Sequence, residues 1–131
     1  MNYFEFDDLC FNISNSEQII VLIVSAKCEH KSFQEFINCA VDKYYEKNYI
    51  YEGSYAWITL PELKAQIINI PKSEEDKKNI FQLIEGMNKR LYIELEEIEN
   101  IVTVFEEEWN DCTYAFETKN CRYYFNWTTT A

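Results

Sequence analysis

The chain has 131 residues, 47% of them apolar and 17% aromatic, enough for one domain with a core of its own. Twelve Lys and Arg stand against 23 Asp and Glu, and the net charge of −11 argues against direct contact with nucleic acid or an anionic membrane. Two glycines exclude a glycine-rich phosphate loop, and a single histidine, His30, excludes a multi-histidine metal site.

Along the chain, Phe4 and Phe6 alternate with Glu5 and Asp7, which predicts a strand over residues 3–13. Residues 18–25, QIIVLIVS, are rich in β-branched side chains and predict a strand buried on both faces. Ser14 and Glu17 offer a helix cap as the alternative there. Ser32 and Glu35 form a capping-box pattern, and Phe33, Phe36, Ile37, Ala40, Val41 and Tyr44 follow at helical spacing. That helix is expected to reach about Lys47. Tyr49, Ile50 and Tyr51, a turn at Glu52, Gly53 and Ser54, and residues 55–59 predict a hairpin. Thr59 and Glu62 repeat the capping box ahead of a short helix to about Ile68, before Pro71.

Ser73 precedes three acids, and Lys89 and Arg90 lie near the end of the same segment, an order that suits a helix dipole. Ile80, Leu83, Ile84 and Met87 are its expected inner stripe. Leu91, Leu95, Ile98, Val102, Phe105 and Trp109 recur at steps of three and four, which predicts a further helix. Strands around Leu91, Ile93 and Leu95 and around Val102 and Val104 are the alternative. The chain ends on a hairpin whose register can be counted. With Lys119 and Asn120 as a two-residue turn, Thr118 faces Cys121, Glu117 faces Arg122 and Phe116 faces Tyr123. Tyr114 then faces Phe125 and Cys112 faces Trp127, so one face carries an aromatic ladder suited to packing on helices.

Five cysteines, an odd number without a C-x-x-C pair, read as reduced thiols. The longest apolar run, Ile19 to Val24, is too short to span a bilayer, and the acidic start lacks a signal-peptide layout. A cytoplasmic protein is therefore expected. Cys28 and His30 stand two apart, but without an oxyanion hole or further ligands they make a weak nucleophile or metal pair. No catalytic residue, metal or cofactor is expected.

The charge is unevenly placed. Between Leu91 and Asp111 stand Glu94, Glu96, Glu97, Glu99, Glu106, Glu107, Glu108 and Asp111, with no Lys or Arg among them. Tyr92 and Trp109 lie in the same stretch and offer aromatic anchors of the kind interfaces use. For Trp109 the apolar stripe also allows a place in the core. Those ten residues are the expected partner-binding set.

In its acid block, small size, aromatic terminal hairpin and lack of catalytic motifs, the whole chain resembles the immunity proteins that bacteria encode beside polymorphic or contact-dependent toxins. The resemblance is one of overall character. It implies a cytoplasmic, non-enzymatic α+β domain that binds and neutralises a cognate protein toxin, a cationic nuclease in the form expected here. The expected fold is one α+β domain over residues 1–131, a mainly antiparallel sheet against two or more helices. The competing readings are an acidic nucleic-acid mimic or regulatory protein, and an enzyme or ligand binder with a pocket built from Tyr44, Tyr45, Tyr49, Tyr51 and Tyr55.

Overall fold

The computed structural model describes residues 1–7, 18–49, 57–91 and 98–129. Its strands are β1 (Asn2–Asp7), β2 (Gln18–Ala26), β3 (Ile70–Pro71), β4 (Asn100–Thr103), β5 (Asp111–Glu117) and β6 (Cys121–Thr129). Its α-helices are α1 (Phe33–Asn48), α2 (Leu60–Lys64) and α3 (Glu74–Leu91). The strands form one sheet in the order β1-β2-β6-β5-β4-β3, antiparallel at every pairing. This is the expected α+β architecture. β6 lies inside the sheet, with β2 on one side and β5 on the other.

Both faces of the sheet are covered, and alternation along each strand decides which residue faces which layer. Val21 and Ile23 of β2, Ala115 of β5 and Tyr124 of β6 pack with Phe36, Ile37, Ala40 and Val41 of α1 and Leu63 of α2. On the opposite face, Ile20, Leu22, Ile101, Phe116, Tyr123 and Phe125 pack with Ile80 of α3. Phe36, Leu22, Ile23, Phe116, Tyr124 and Phe125 are fully buried. The aromatic ladder of the terminal hairpin thus meets a helix, with the Phe116 and Tyr123 rings stacked at 4.8 Å.

The counted register of β5 and β6 is the observed one, from Cys112 opposite Trp127 to Glu117 opposite Arg122, and Thr118 closes the turn by donating to the Cys121 carbonyl. Arg122 does more than face Glu117. Its guanidinium is buried, donating to Glu117 Oε2 at 3.0 Å and to the carbonyls of Lys27 and His30. That ties the hairpin to the segment that follows β2.

The helix starts obey local chemistry. Ser32 accepts from the Glu35 amide, and Thr59 and Glu62 complete a reciprocal capping box. Three expectations need correction. α2 ends at Lys64 rather than near Ile68, because the Ile68 amide bonds the Val104 carbonyl and Asn69 takes φ 47°, turning the chain into β3. The helix expected from Leu91 to Trp109 does not form over its described residues 98–109: β4 occupies Asn100–Thr103, the strand alternative around Val102, while Leu91 ends α3 and the alternative at Ile93 and Leu95 lies outside the described residues. The chain then bends at Val104 and Phe105 and reaches β5 through a Glu108–Asp111 bridge. Trp57 and Ile58 lie in a bend ahead of α2 rather than in a hairpin strand, and the rest of that expected hairpin beyond Tyr49 lies outside the described residues. So do residues 8–13 of the first expected strand and the cap at Ser14 and Glu17.

Candidate functional site

Loss of the helix redistributes the acid block. Tyr92, Glu94, Glu96 and Glu97 lie outside the described residues. Glu99 receives Lys27 Nζ at 3.0 Å. Glu107 receives Lys72 Nζ at 2.7 Å and the Tyr114 hydroxyl. The absence of basic residues within the run is thus made good by lysines from elsewhere in the chain. Burial alone would raise the Glu107 carboxyl, but the bonds from Lys72 and Tyr114 outweigh it and hold the group below its usual range. Lys72 is correspondingly raised, mainly by its bond to Glu107. Tyr114 is pushed far upward by burial and by that same carboxylate.

Glu106, Glu108 and Asp111 have a different place. They line a cleft of about 420 Å³ between the β4–β5 connection and the helical layer. Tyr44 and Tyr49, from α1 and its C-terminal cap, and the exposed Trp57 form its aromatic side. Leu63, Gln66, Ile68 and Phe105 also line it, and Thr113 and Asn126 extend the lining onto β5 and β6. Among the described residues, no Lys, Arg or His lines the cleft.

Asn126 organises the polar end. Its side chain is buried within the sheet, opposite Thr113. The amide nitrogen donates to Asp111 Oδ1 at 2.8 Å and to Thr113 Oγ1 at 2.9 Å, while the carbonyl oxygen accepts from the Tyr44 hydroxyl at 3.1 Å. One buried amide therefore positions both an aromatic wall residue and a carboxylate. Burial raises Asp111, the Asn126 bond opposes that shift, and the nearby Glu108 charge adds to it. The aromatic side is braced by ring contacts: Tyr45 and Tyr49 stack at 5.2 Å, and Tyr49 meets Trp57 at 5.9 Å. Tyr45 donates to the Ile58 carbonyl at 2.8 Å, fixing the bend that carries Trp57.

Two tryptophans stand out to solvent, Trp57 at 81% exposure and Trp109 at 73%. For Trp109 this overturns a place in the core, since the helical stripe that would have buried it does not form. Trp57, Gln66 and Asn126 were not in the expected set. Asn126 had a sequence signal: it is the polar residue within Tyr123, Tyr124, Phe125 and Trp127, and in a strand packed on both faces such a residue needs partners. Trp57 had only its nearness to the tyrosine cluster.

Cys28 is exposed, and the His30 ring stands edge-on to Phe36 at 5.7 Å. Cys28, Cys39, Cys112 and Cys121 are free thiols. Among the described residues, no helix is long and apolar enough to cross a membrane. No protein-family model, curated protein or solved structure matches the chain.

Proposed function

We propose that this protein is an immunity-type inhibitor, a cytoplasmic binding protein that neutralises a cognate cationic toxin, with a nuclease as the preferred target. The observation that carries this reading is the cleft: among the described residues it holds three carboxylates without a lining cation, together with the exposed ring of Trp57 and the half-buried rings of Tyr44 and Tyr49. A nuclease presents cationic surface to hold phosphate, and an acidic, aromatic-walled surface complements that chemistry. Carboxylates steer the encounter, and desolvated aromatic anchors set the lifetime.

The acid set narrows accordingly. Glu99 and Glu107 are engaged with Lys27 and Lys72, so Glu106, Glu108 and Asp111 are the carboxylates presented to a partner. The test is co-expression with the C-terminal toxic domain encoded by the neighbouring upstream gene. Protection of the cells and co-purification are expected, and both should be lost in Glu106→Lys/Glu108→Lys. Unchanged co-purification by that variant would move the interface away from the cleft. Absence of any protected partner would remove the immunity reading.

The presence of Tyr44 and Tyr49 in the cleft wall favours one other reading, a binder of small cationic ligands. That reading requires a ligand that co-purifies with the chain in the absence of any protein partner.

A further inference from the structure

The cleft combines features that together select one kind of cation. Its volume of about 420 Å³ suits a single side chain or small ligand rather than a helix or strand. Glu106 and Glu108 are exposed and line it together with Asp111, which Asn126 holds in place. Elsewhere in the same acid run the chain supplies its own lysines, at 3.0 Å for Glu99 and 2.7 Å for Glu107. Here its described residues supply none. The same lining carries the aromatic rings of Tyr44, Tyr49 and Trp57, with Tyr49 stacked on Tyr45.

A planar guanidinium stacks on aromatic faces while its fork of N–H groups meets carboxylates. An ammonium is a compact, strongly hydrated point charge and uses the aromatic wall less well. Resting on the reading of the protein as a binder of a cationic toxin, we propose that the cleft receives an arginine side chain of that partner. The aliphatic stem would lie along Leu63 and Ile68, and the guanidinium would sit between Trp57 and the carboxylates of Glu106 and Glu108.

The test uses N-acetyl-arginine amide, N-acetyl-lysine amide and N-acetyl-citrulline amide as probes, read by NMR shifts of the Trp57 indole and the Leu63 and Ile68 methyl groups. The arginine probe should shift these signals saturably, the lysine probe at least several-fold more weakly, and the neutral citrulline probe not at all over the same range. Glu106→Gln/Glu108→Gln and Trp57→Ala, all at exposed positions, should each weaken the arginine probe about tenfold or more while the amide spectrum stays folded. Equal response to citrulline, lysine binding as tight as arginine, or no saturable shift would overturn the proposal. The two readings fail separately. A toxin domain that co-purifies while the arginine probe does not bind removes the arginine pocket alone. An arginine probe that binds without any protected toxin leaves the pocket and removes the immunity function.

Discussion

Arg122 shows how one side chain can hold a fold. It is buried, paired with a buried Glu117, and bonded to two carbonyls beyond β2. Removing it takes from the Glu117 carboxylate its closest cation, leaving Asn100 at 3.1 Å and Lys27 at 3.9 Å, and leaves two carbonyls without that donor, so Arg122→Met should cost about 3 kcal/mol in urea denaturation. Arg122→Met/Glu117→Leu should recover part of that loss, because the buried carboxylate that has lost its closest cation is removed as well. Trp109 is the opposite case. With 73% of its surface exposed, Trp109→Ala should change stability by less than about 0.5 kcal/mol, whereas Phe36→Ala should cost about 3–5 kcal/mol. A binding loss for Trp109→Ala would therefore report on an interface and not on folding. From the sequence, a pairing of Glu117 with Arg122 was legible by counting, but its burial and its carbonyl partners were not. Those contacts join residues more than 90 positions apart, beyond the reach of any local pattern.

The elements divide by how local their determinants are. α1 and α2 begin where Ser32 and Thr59 accept amide hydrogens three residues on, and this is written in four consecutive residues. The β5–β6 register follows from a two-residue turn and strict alternation, so counting outward from Lys119 and Asn120 reproduces it. β4 was misread for a physical reason. Both faces of the sheet are covered, so Ile101 enters one core cluster while its neighbour Val102 packs against the other. A strand that is apolar on both sides loses the polar alternation that separates it from a helix, and a chance spacing of three and four then dominates. The site was half legible. Glu106, Glu108 and Asp111 were in the expected set, but their separation from Glu99 and Glu107 depended on where Lys27 and Lys72 fall in the fold.

The Lys72–Glu107 contact joins the residues just before α3 to the connection between β4 and β5, and its pH response has a definite sign. Glu107 is lowered in the folded state, so its contribution is present above its unfolded pKa and lost as pH falls through the folded one. Lys72 is raised, so its contribution is present below its unfolded pKa and lost as pH rises through the folded value. The stability gap between the parent and Lys72→Met should therefore be widest near neutral pH and narrow towards both extremes. Glu107 is partly exposed, which keeps the gap at about 1 kcal/mol or less. Asp111 has the contrary sign: its raised pKa makes its contribution present at low pH and lost as pH rises through the carboxylate range. Thermal melts of the parent, Lys72→Met and Asp111→Asn across pH separate the two effects.

At the scale of the molecule, a net charge of −11 acts before any contact is made. Steering of a cationic partner should make association fall steeply as salt rises, because the screening length shrinks to about 8 Å at physiological ionic strength. Stopped-flow measurements should then split the site into two kinds of variant. Glu106→Lys/Glu108→Lys slows association, whereas Trp57→Ala accelerates dissociation more than it slows encounter. Equal effects of both variants on both rates would count against this division.

The placement of β6 sets a schedule for biosynthesis. β6 is made after every other strand of the sheet, yet β2 and β5 meet only through it. While the ribosome is still adding residues 121–129, the β1–β2 pair and the β3–β4–β5 group have no ladder between them, and each leaves an apolar edge unpaired. Folding of the sheet as a unit must wait for that last strand, and the nascent chain carries two edges open to wrong pairing until it arrives. A chain arrested at Asn120 should therefore stay protease-sensitive, and extending it through Thr129 should convert it to a resistant form in one step.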